Sequence, residues 1–148
     1  MKRFMKLSSK LIASIVTFAI CLPVTGYAQP EWAELGGRNK FIELMTAGDF
    51  GQALLLAKSQ LAEAEAARGS SHPDLLPLLH DLGTIYLVRQ NVQMAEHTFR
   101  RSVNIATRAF GRTDSRTKDA VKDLATALMM DQRFQEAQQL LQQADAGR

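Results

Sequence analysis

The sequence lacks an apolar run long enough to cross a membrane. Its longest run, residues 11–24, has about 14 residues, whereas a spanning helix needs about 20. Basic residues precede the run, and Gly26 and Ala28 after it form a small-x-small site. This order is typical of a secretory signal peptide. We predict that residues 1–28 are a signal peptide cleaved after Ala28, that residues 29–148 are periplasmic, and that no stable membrane insertion follows cleavage. A retained anchor is the alternative.

Cysteine is nearly absent. Cys21 is the single cysteine, and it follows Ile20, which is bulky where a lipoprotein cleavage site needs a small residue. After cleavage no cysteine remains, which excludes disulfide bonds. In an oxidising compartment the mature chain must therefore be held together by packing alone, which about 120 residues can do as one domain.

An excess of basic charge is also lacking once the signal peptide is removed. Four of the 18 Lys and Arg residues lie in residues 1–28 together with none of the 15 Asp and Glu residues, which leaves a net charge of −1. A nucleic-acid-binding domain normally carries a basic surface. We therefore predict no nucleic-acid partner.

Catalytic signatures are missing as well. The sequence contains no nucleophile elbow, phosphate-binding loop or HExxH zinc motif. His72, His80 and His97 are candidate ligands or bases, but their positions in a turn and on two different helices do not converge at metal-ligand spacing. We predict that the protein is not an enzyme, that it binds no cofactor or metal, and that these histidines are solvated surface residues.

The sequence does contain an internal repeat. The segments around Asp49, Asn91 and Arg133 superpose at a period of 42 residues. Small residues fall on small ones and bulky residues on bulky ones in a single frame, which indicates a true repeat. The aligned sets include Ala53, Ala95 and Ala137; Leu44, Tyr86 and Leu128; and Ala57, Phe99 and Leu141.

The apolar residues of each unit follow helical spacing, and no strand-like alternation occurs. Two helices per unit are predicted, joined by short polar bends around Gly48, Gln90 and Gln132. Gly69 and Gly111 are predicted to end the second helices. The predicted fold class is therefore all-α, a short superhelical stack of antiparallel helical hairpins with about 2.5 to 3 repeats. The repeats span approximately residues 31–69, 72–111 and 114–146 of a single domain, residues 29–148.

The second unit resembles the tetratricopeptide repeat family. Leu82-Gly83, Tyr86, Ala95 and Phe99 match the family's Leu-Gly, Tyr, Ala and Phe at the same offsets. The third unit is similar, and the resemblance covers nearly the whole mature chain. It implies the fold much more specifically than the function.

Two details distinguish this chain from the usual pattern of the family. The 42-residue period and the opening with Ser71, Pro73 and Asp74 resemble the longer repeat variant of kinesin light chains and many bacterial repeat proteins. In the first unit, Lys40 and Phe41 replace the Leu-Gly pair. Its first helix is therefore expected to be a degenerate cap.

The resemblance also implies where a partner binds, because the first helices of tetratricopeptide stacks line a concave groove. Carried over position by position, the partner-binding set is Arg38, Ile42, Met45, His80, Thr84, Leu87, Val88, Lys122, Thr126, Met129 and Met130. We name its apolar members the apolar strip: Ile42, Met45, Leu87, Val88, Met129 and Met130. We name its basic members the basic ladder: Arg38, His80 and Lys122.

Each stripe also has a simpler interpretation. In the apolar strip, Leu87 and Val88 could pack within their own hairpin, and Met129 and Met130 could cover the C-terminal end of the core, since apolar residues at helical spacing usually belong to a core. The basic ladder could be a solvated face paired with Asn39, Asp81 and Asp123, each one residue further on. The family's carboxylate clamp for chaperone tails is not reproduced, because Ile42 and Asp119 are among the residues that stand where a clamp needs other side chains.

Two functions remain open at this point. The first is a non-catalytic adaptor that binds a protein segment with hydrophobic anchors and an acidic edge. The alternative is a structural module that self-associates into a homo-oligomer through an uncapped C-terminal hairpin, because so few repeats are near the minimum for a stable stack.

Overall fold

The computed structural model describes residues 31–146, and within them it contains six α-helices. A single 3-10 turn, Pro73–Leu75, immediately precedes α3. The helices are α1 (Glu31–Thr46), α2 (Phe50–Arg68), α3 (Leu76–Val88), α4 (Val92–Phe110), α5 (Ser115–Met130) and α6 (Phe134–Ala146). The predicted signal peptide lies outside the described residues.

The helices pack in chain order as consecutive pairs. α3 packs against α2 and α4, α5 packs against α4 and α6, and α3 also contacts α5. Phe41 and Leu44 of α1 join the same hydrophobic core. The predicted all-α stack of hairpins is therefore confirmed, with first helices α1, α3 and α5 and second helices α2, α4 and α6.

The bend inside each hairpin is the same turn used three times. Gly48, Gln90 and Gln132 all have positive φ, at 76°, 58° and 62°. The next residue donates its amide to the carbonyl five residues earlier, as in Asn91 N to Tyr86 O at 2.8 Å. This pattern closes a helix C-terminus through a left-handed residue. The predicted bends are thus confirmed, including two where glutamine adopts a conformation that favours glycine.

The helix ends follow from local capping. The carboxylate of Asp49 and the amide oxygen of Asn91 accept hydrogen bonds from backbone amides in the first turns of α2 and α4. Gly69 and Gly111, both with positive φ, end those helices as predicted. The second unit opens with His72 as its capping residue, whose Nδ1 accepts a hydrogen bond from the backbone amide of Asp74 at 3.2 Å.

The core of each hairpin depends on complementary side-chain sizes. In the second hairpin the ring of Phe99 lies directly on Gly83, where an added Cβ would be only 2.3 Å from Cε1 of the ring. The repeat-equivalent pair in the first hairpin is Phe41 and Ala57, both buried in the same core. A large residue on the first helix is thus matched by a small one on the second, which compensates for the departure of the first unit from the family pattern. In the third hairpin the corresponding pair is Ala125 and Leu141.

Candidate partner-binding face

The predicted partner-binding residues follow one face of each first helix. On α3 they are His80, Thr84, Leu87 and Val88, which are spaced four, seven and eight residues from the first and therefore share a helical stripe. Consecutive first helices are neighbours, because α3 contacts α5 directly. The first helices also meet through side chains, since Arg38 of α1 contacts Asp81 of α3 and His80 of α3 contacts Asp123 of α5.

The basic ladder is bridged by carboxylates between repeats. Nδ1 of His80 lies 2.8 Å from Oδ2 of Asp123, and Nη2 of Arg38 lies 3.9 Å from Oδ1 of Asp81. Each acidic partner therefore belongs to the following repeat and lies 43 residues after its basic residue, one more than the repeat period. Lys122 instead pairs within its own helix, with Nζ 2.9 Å from Oδ1 of Asp119.

These pairs shift the pKa values of the groups involved. The hydrogen bond to Asp123 raises the pKa of the His80 imidazole, against a smaller opposing effect of burial. Burial raises the pKa of the Asp81 carboxyl, and the positive charge of Arg38 only partly opposes this. The hydrogen bond to Asp119 raises the pKa of the Lys122 ammonium. The ladder therefore alternates positive and negative groups and is not a uniformly basic edge.

The apolar strip divides into exposed and half-buried members. Met45 and Leu87 are half-buried and pack against the core, as the simpler interpretation expected for Leu87. The other four side chains are well exposed: Ile42 at 52%, Val88 at 43%, Met129 at 41% and Met130 at 49%. Isoleucine, valine and two flexible methionines are thus exposed to solvent on this face, while Met45 and Leu87 pack against the core.

The two threonines of the set contribute differently. Thr126 is exposed and its hydroxyl donates to the carbonyl of Lys122 at 2.9 Å, while Thr84 is half-buried. A threonine hydroxyl bonded to its own helix offers no free donor to a ligand. Recognition at this face would therefore rest mainly on the apolar side chains.

The structure also contains an ion cluster on the second helices that the repeat pattern alone did not predict. Nη1 of Arg133 lies 2.8 Å from Oε2 of Glu96, and its Nη2 lies 2.6 Å from Oε2 of Glu136. Arg100 contacts the same two carboxylates, at 2.6 Å and 3.2 Å. The signal available in the sequence was the i,i+4 spacing of Glu96 and Arg100 and the i,i+3 spacing of Arg133 and Glu136.

The three histidines do not form a common site. His72 caps the turn before α3, His80 lies on α3 and His97 is exposed on α4. Among residues 31–146, no group of three His, Cys, Asp or Glu side chains could hold a metal ion. In the same part of the chain, no helix has the length and apolarity that a membrane span requires.

The repeated hairpins and the shared face of their first helices define a helical repeat protein. Residues 74–144 match the family model of the tetratricopeptide repeat. The match begins in the 3-10 turn before α3 and reaches into the last turns of α6, so it covers the second and third hairpins. Tetratricopeptide repeats generally serve as protein–protein interaction modules and are typically non-catalytic. No curated protein matches the chain.

Proposed function

We propose that the mature chain is a non-catalytic periplasmic adaptor of the longer, kinesin-light-chain-like tetratricopeptide type, and that it binds a partner protein segment along the first helices. The observation that carries this proposal is the exposure of the apolar side chains Ile42, Val88, Met129 and Met130 on the first helices. Methionine side chains adapt to varied apolar surfaces, and a few buried apolar anchors supply most of the affinity of an interface.

The alternating charges beside the strip refine the expected partner. Because Asp81 and Asp123 already bridge Arg38 and His80, the ladder has less free positive charge to offer an acidic segment. Lys122 is the most exposed of the three basic residues, and its ammonium pairs with the exposed Asp119. We therefore expect the apolar anchors to set affinity and Lys122 to make a small, salt-sensitive contribution.

The test is crosslinking in cells followed by mass spectrometry, and then quantitative capture of the partner found by purified variants. Val88→Ser combined with Met129→Ser should abolish capture while helical content stays near normal. Leu55→Ser is the matched control, because Leu55 is a similarly exposed apolar residue on a second helix. If the control loses the partner and the double variant keeps it, the first-helix face is not the binding site.

Export is part of the same proposal. The basic head, short apolar run and small-x-small site of residues 1–28 support cleavage after Ala28. The intact mass of periplasmic protein should therefore correspond to a chain that begins at Gln29. Recovery of the full-length chain from membranes would support a retained anchor instead.

A second candidate function is self-association through the last hairpin. Phe134, Met129 and Met130 are exposed there, so a second copy could cover them. Light scattering across a range of concentrations distinguishes this function from the first. Concentration-dependent mass that Phe134→Ser removes would favour a self-assembling module.

A further inference from the structure

The ion cluster on the second helices has a repeat-equivalent location one unit earlier. In the cluster, Glu96 and Arg100 of α4 meet Arg133 and Glu136 of the third hairpin, and Asp131 lies 3.6 Å from Arg133. Three carboxylates there neutralise two guanidinium groups. The charged side chains at this location are therefore paired with one another.

One repeat earlier, the same positions hold different side chains. Leu54 replaces Glu96, Met94 replaces Glu136 and Arg89 replaces Asp131, so every carboxylate is gone. Lys58 stands in place of Arg100, and Asn91 in place of Arg133. The charge of the site changes from a net −1 to a net +2.

This earlier location is an open cavity. Its volume is about 410 Å³, and its lining residues are Leu54, Lys58, Tyr86, Arg89, Asn91 and Met94. Nζ of Lys58 lies 5.9 Å from the ring centroid of Tyr86. No ion pair joins Lys58 or Arg89 to a carboxylate in the part of the chain that the structure describes. Two cations therefore line a cavity at the location where the next repeat has three carboxylates.

We propose that this cavity binds a glutamate or aspartate side chain of a partner protein, flanked in that partner by an apolar residue. The incoming carboxylate would take the role that Glu96 and Glu136 have in the next interface, between the charges of Lys58 and Arg89. Leu54, Met94 and the ring of Tyr86 would contact the neighbouring apolar side chain. Charge-assisted hydrogen bonds of this kind are stronger than neutral ones.

The cavity is separate from the partner-binding face. None of its lining residues belongs to the apolar strip or the basic ladder, so the site would hold a second segment of a partner or a second partner. Its apolar edges favour a peptide over a nucleic acid, whose recognition needs a broader basic surface than two cations. The proposal therefore does not depend on whether a partner binds at the first helices.

The direct test is a titration monitored by NMR with two blocked peptides, acetyl-Leu-Glu-Leu-amide and its glutamine analogue. The glutamate peptide should cause saturable shifts at the amides of Lys58, Arg89 and Met94. The glutamine peptide should bind about tenfold more weakly, because it lacks the charge. Absence of saturable shifts at these residues, or equal affinity of the two peptides, would overturn the proposal. Tighter binding of a single-stranded oligonucleotide at the same residues would overturn the choice of partner class.

Two double variants test the site in different ways, and both are expected to lose peptide binding. Leu54→Glu with Met94→Glu copies the carboxylates of the next interface, so Lys58 and Arg89 should pair within the chain and peptide binding should be abolished. The lost contact of Leu54 with the core opposes the gain in Tm from the new ion pairs, so circular dichroism must first show that the variant is folded. Lys58→Gln with Arg89→Gln changes two exposed side chains, so it should abolish binding with little change in Tm. If either well-folded variant binds the glutamate peptide as the parent chain does, the proposal is wrong. The Val88→Ser and Met129→Ser variant should bind this peptide normally, which keeps the result distinct from that of the first-helix face.

Discussion

Replacing Gly83 by alanine tests the contact between the two helices of the central hairpin. An alanine Cβ at this position would lie 2.3 Å, 2.4 Å and 2.8 Å from three ring atoms of Phe99. Real Cβ atoms do not approach other atoms so closely, and the ring is only 1% exposed, so it has no free space into which to turn. The helices must therefore separate or the ring must leave its rotamer.

The net cost combines two opposing effects. Overpacking a core by one methyl group costs about 1 to 3 kcal/mol, and contact with three ring atoms argues for the upper end. Removing glycine from a helix interior returns about 1 kcal/mol. We expect Gly83→Ala to lower the free energy of unfolding by about 2 kcal/mol, or roughly 8 °C in Tm for a domain of this size.

The chain supplies both a control and a rescue. Gly51 lies in α2, where an added Cβ would have only the Asp49 carboxylate nearby, at 3.8 Å, so Gly51→Ala should be neutral or stabilising. Adding Phe99→Leu to Gly83→Ala copies the Ala125 and Leu141 pair of the third hairpin, so it should recover most of the loss. Urea unfolding followed by circular dichroism measures all four proteins. A Gly83→Ala protein as stable as the Gly51→Ala protein would refute the packing of Phe99 on Gly83.

Three further predictions concern the helix contacts and the ladder. Ala95→Leu should destabilise the fold by about 1 to 3 kcal/mol, because Ala95 is fully buried, and an unchanged urea midpoint would mean that the repeat frame is shifted. The raised pKa of His80, which faces Asp123, Asp81 and Arg38, should give a contribution to stability that is fully present below about pH 6.5, its unfolded pKa. Stability should then fall as pH rises through the higher folded pKa, and His80→Gln should remove this part of the Tm profile. Asp81→Asn should leave Tm at pH 7 nearly unchanged, since burial of the charge opposes the attraction of Arg38; a large loss would show that the ion pair dominates.

The repeat frame made most of the fold predictable from sequence. Residues spaced at 42 must occupy equivalent places if the units are alike, and the aligned alanines Ala53, Ala95 and Ala137 are indeed all buried. The bends were predictable for the same reason, even though two of them lack glycine. Only Gly48 carries the expected residue, and Gln90 and Gln132 could be placed because they align with it.

The partners of the ladder could not be predicted in the same way. The sequence puts an acidic or amide residue next to each basic one, which suggested pairs within a unit. A side chain on a helix, however, cannot readily face its immediate neighbour, which points about 100° away around the axis. Asp123 reaches His80 because it lies on the adjacent first helix. The offset between neighbouring helices is set by tertiary packing, and the repeat period of the sequence does not reveal it.

The same reasoning separates structural positions from those that call for a ligand. Where equivalent positions of two repeats carry the same class of residue, as Ala95 and Ala137 do, packing explains both residues. Where equivalent positions differ in charge, one packing requirement cannot explain both residues. Glu96 and Glu136 complete an ion cluster that Leu54 and Met94 leave open around Lys58. An interface that only had to hold two hairpins together could have used either solution, but the open one leaves two cations without a carboxylate in the described part of the chain. If folded Leu54→Glu with Met94→Glu no longer binds the glutamate peptide, an internal carboxylate and the partner's carboxylate compete for the same two cations, which is expected of a binding site and not of a purely structural contact.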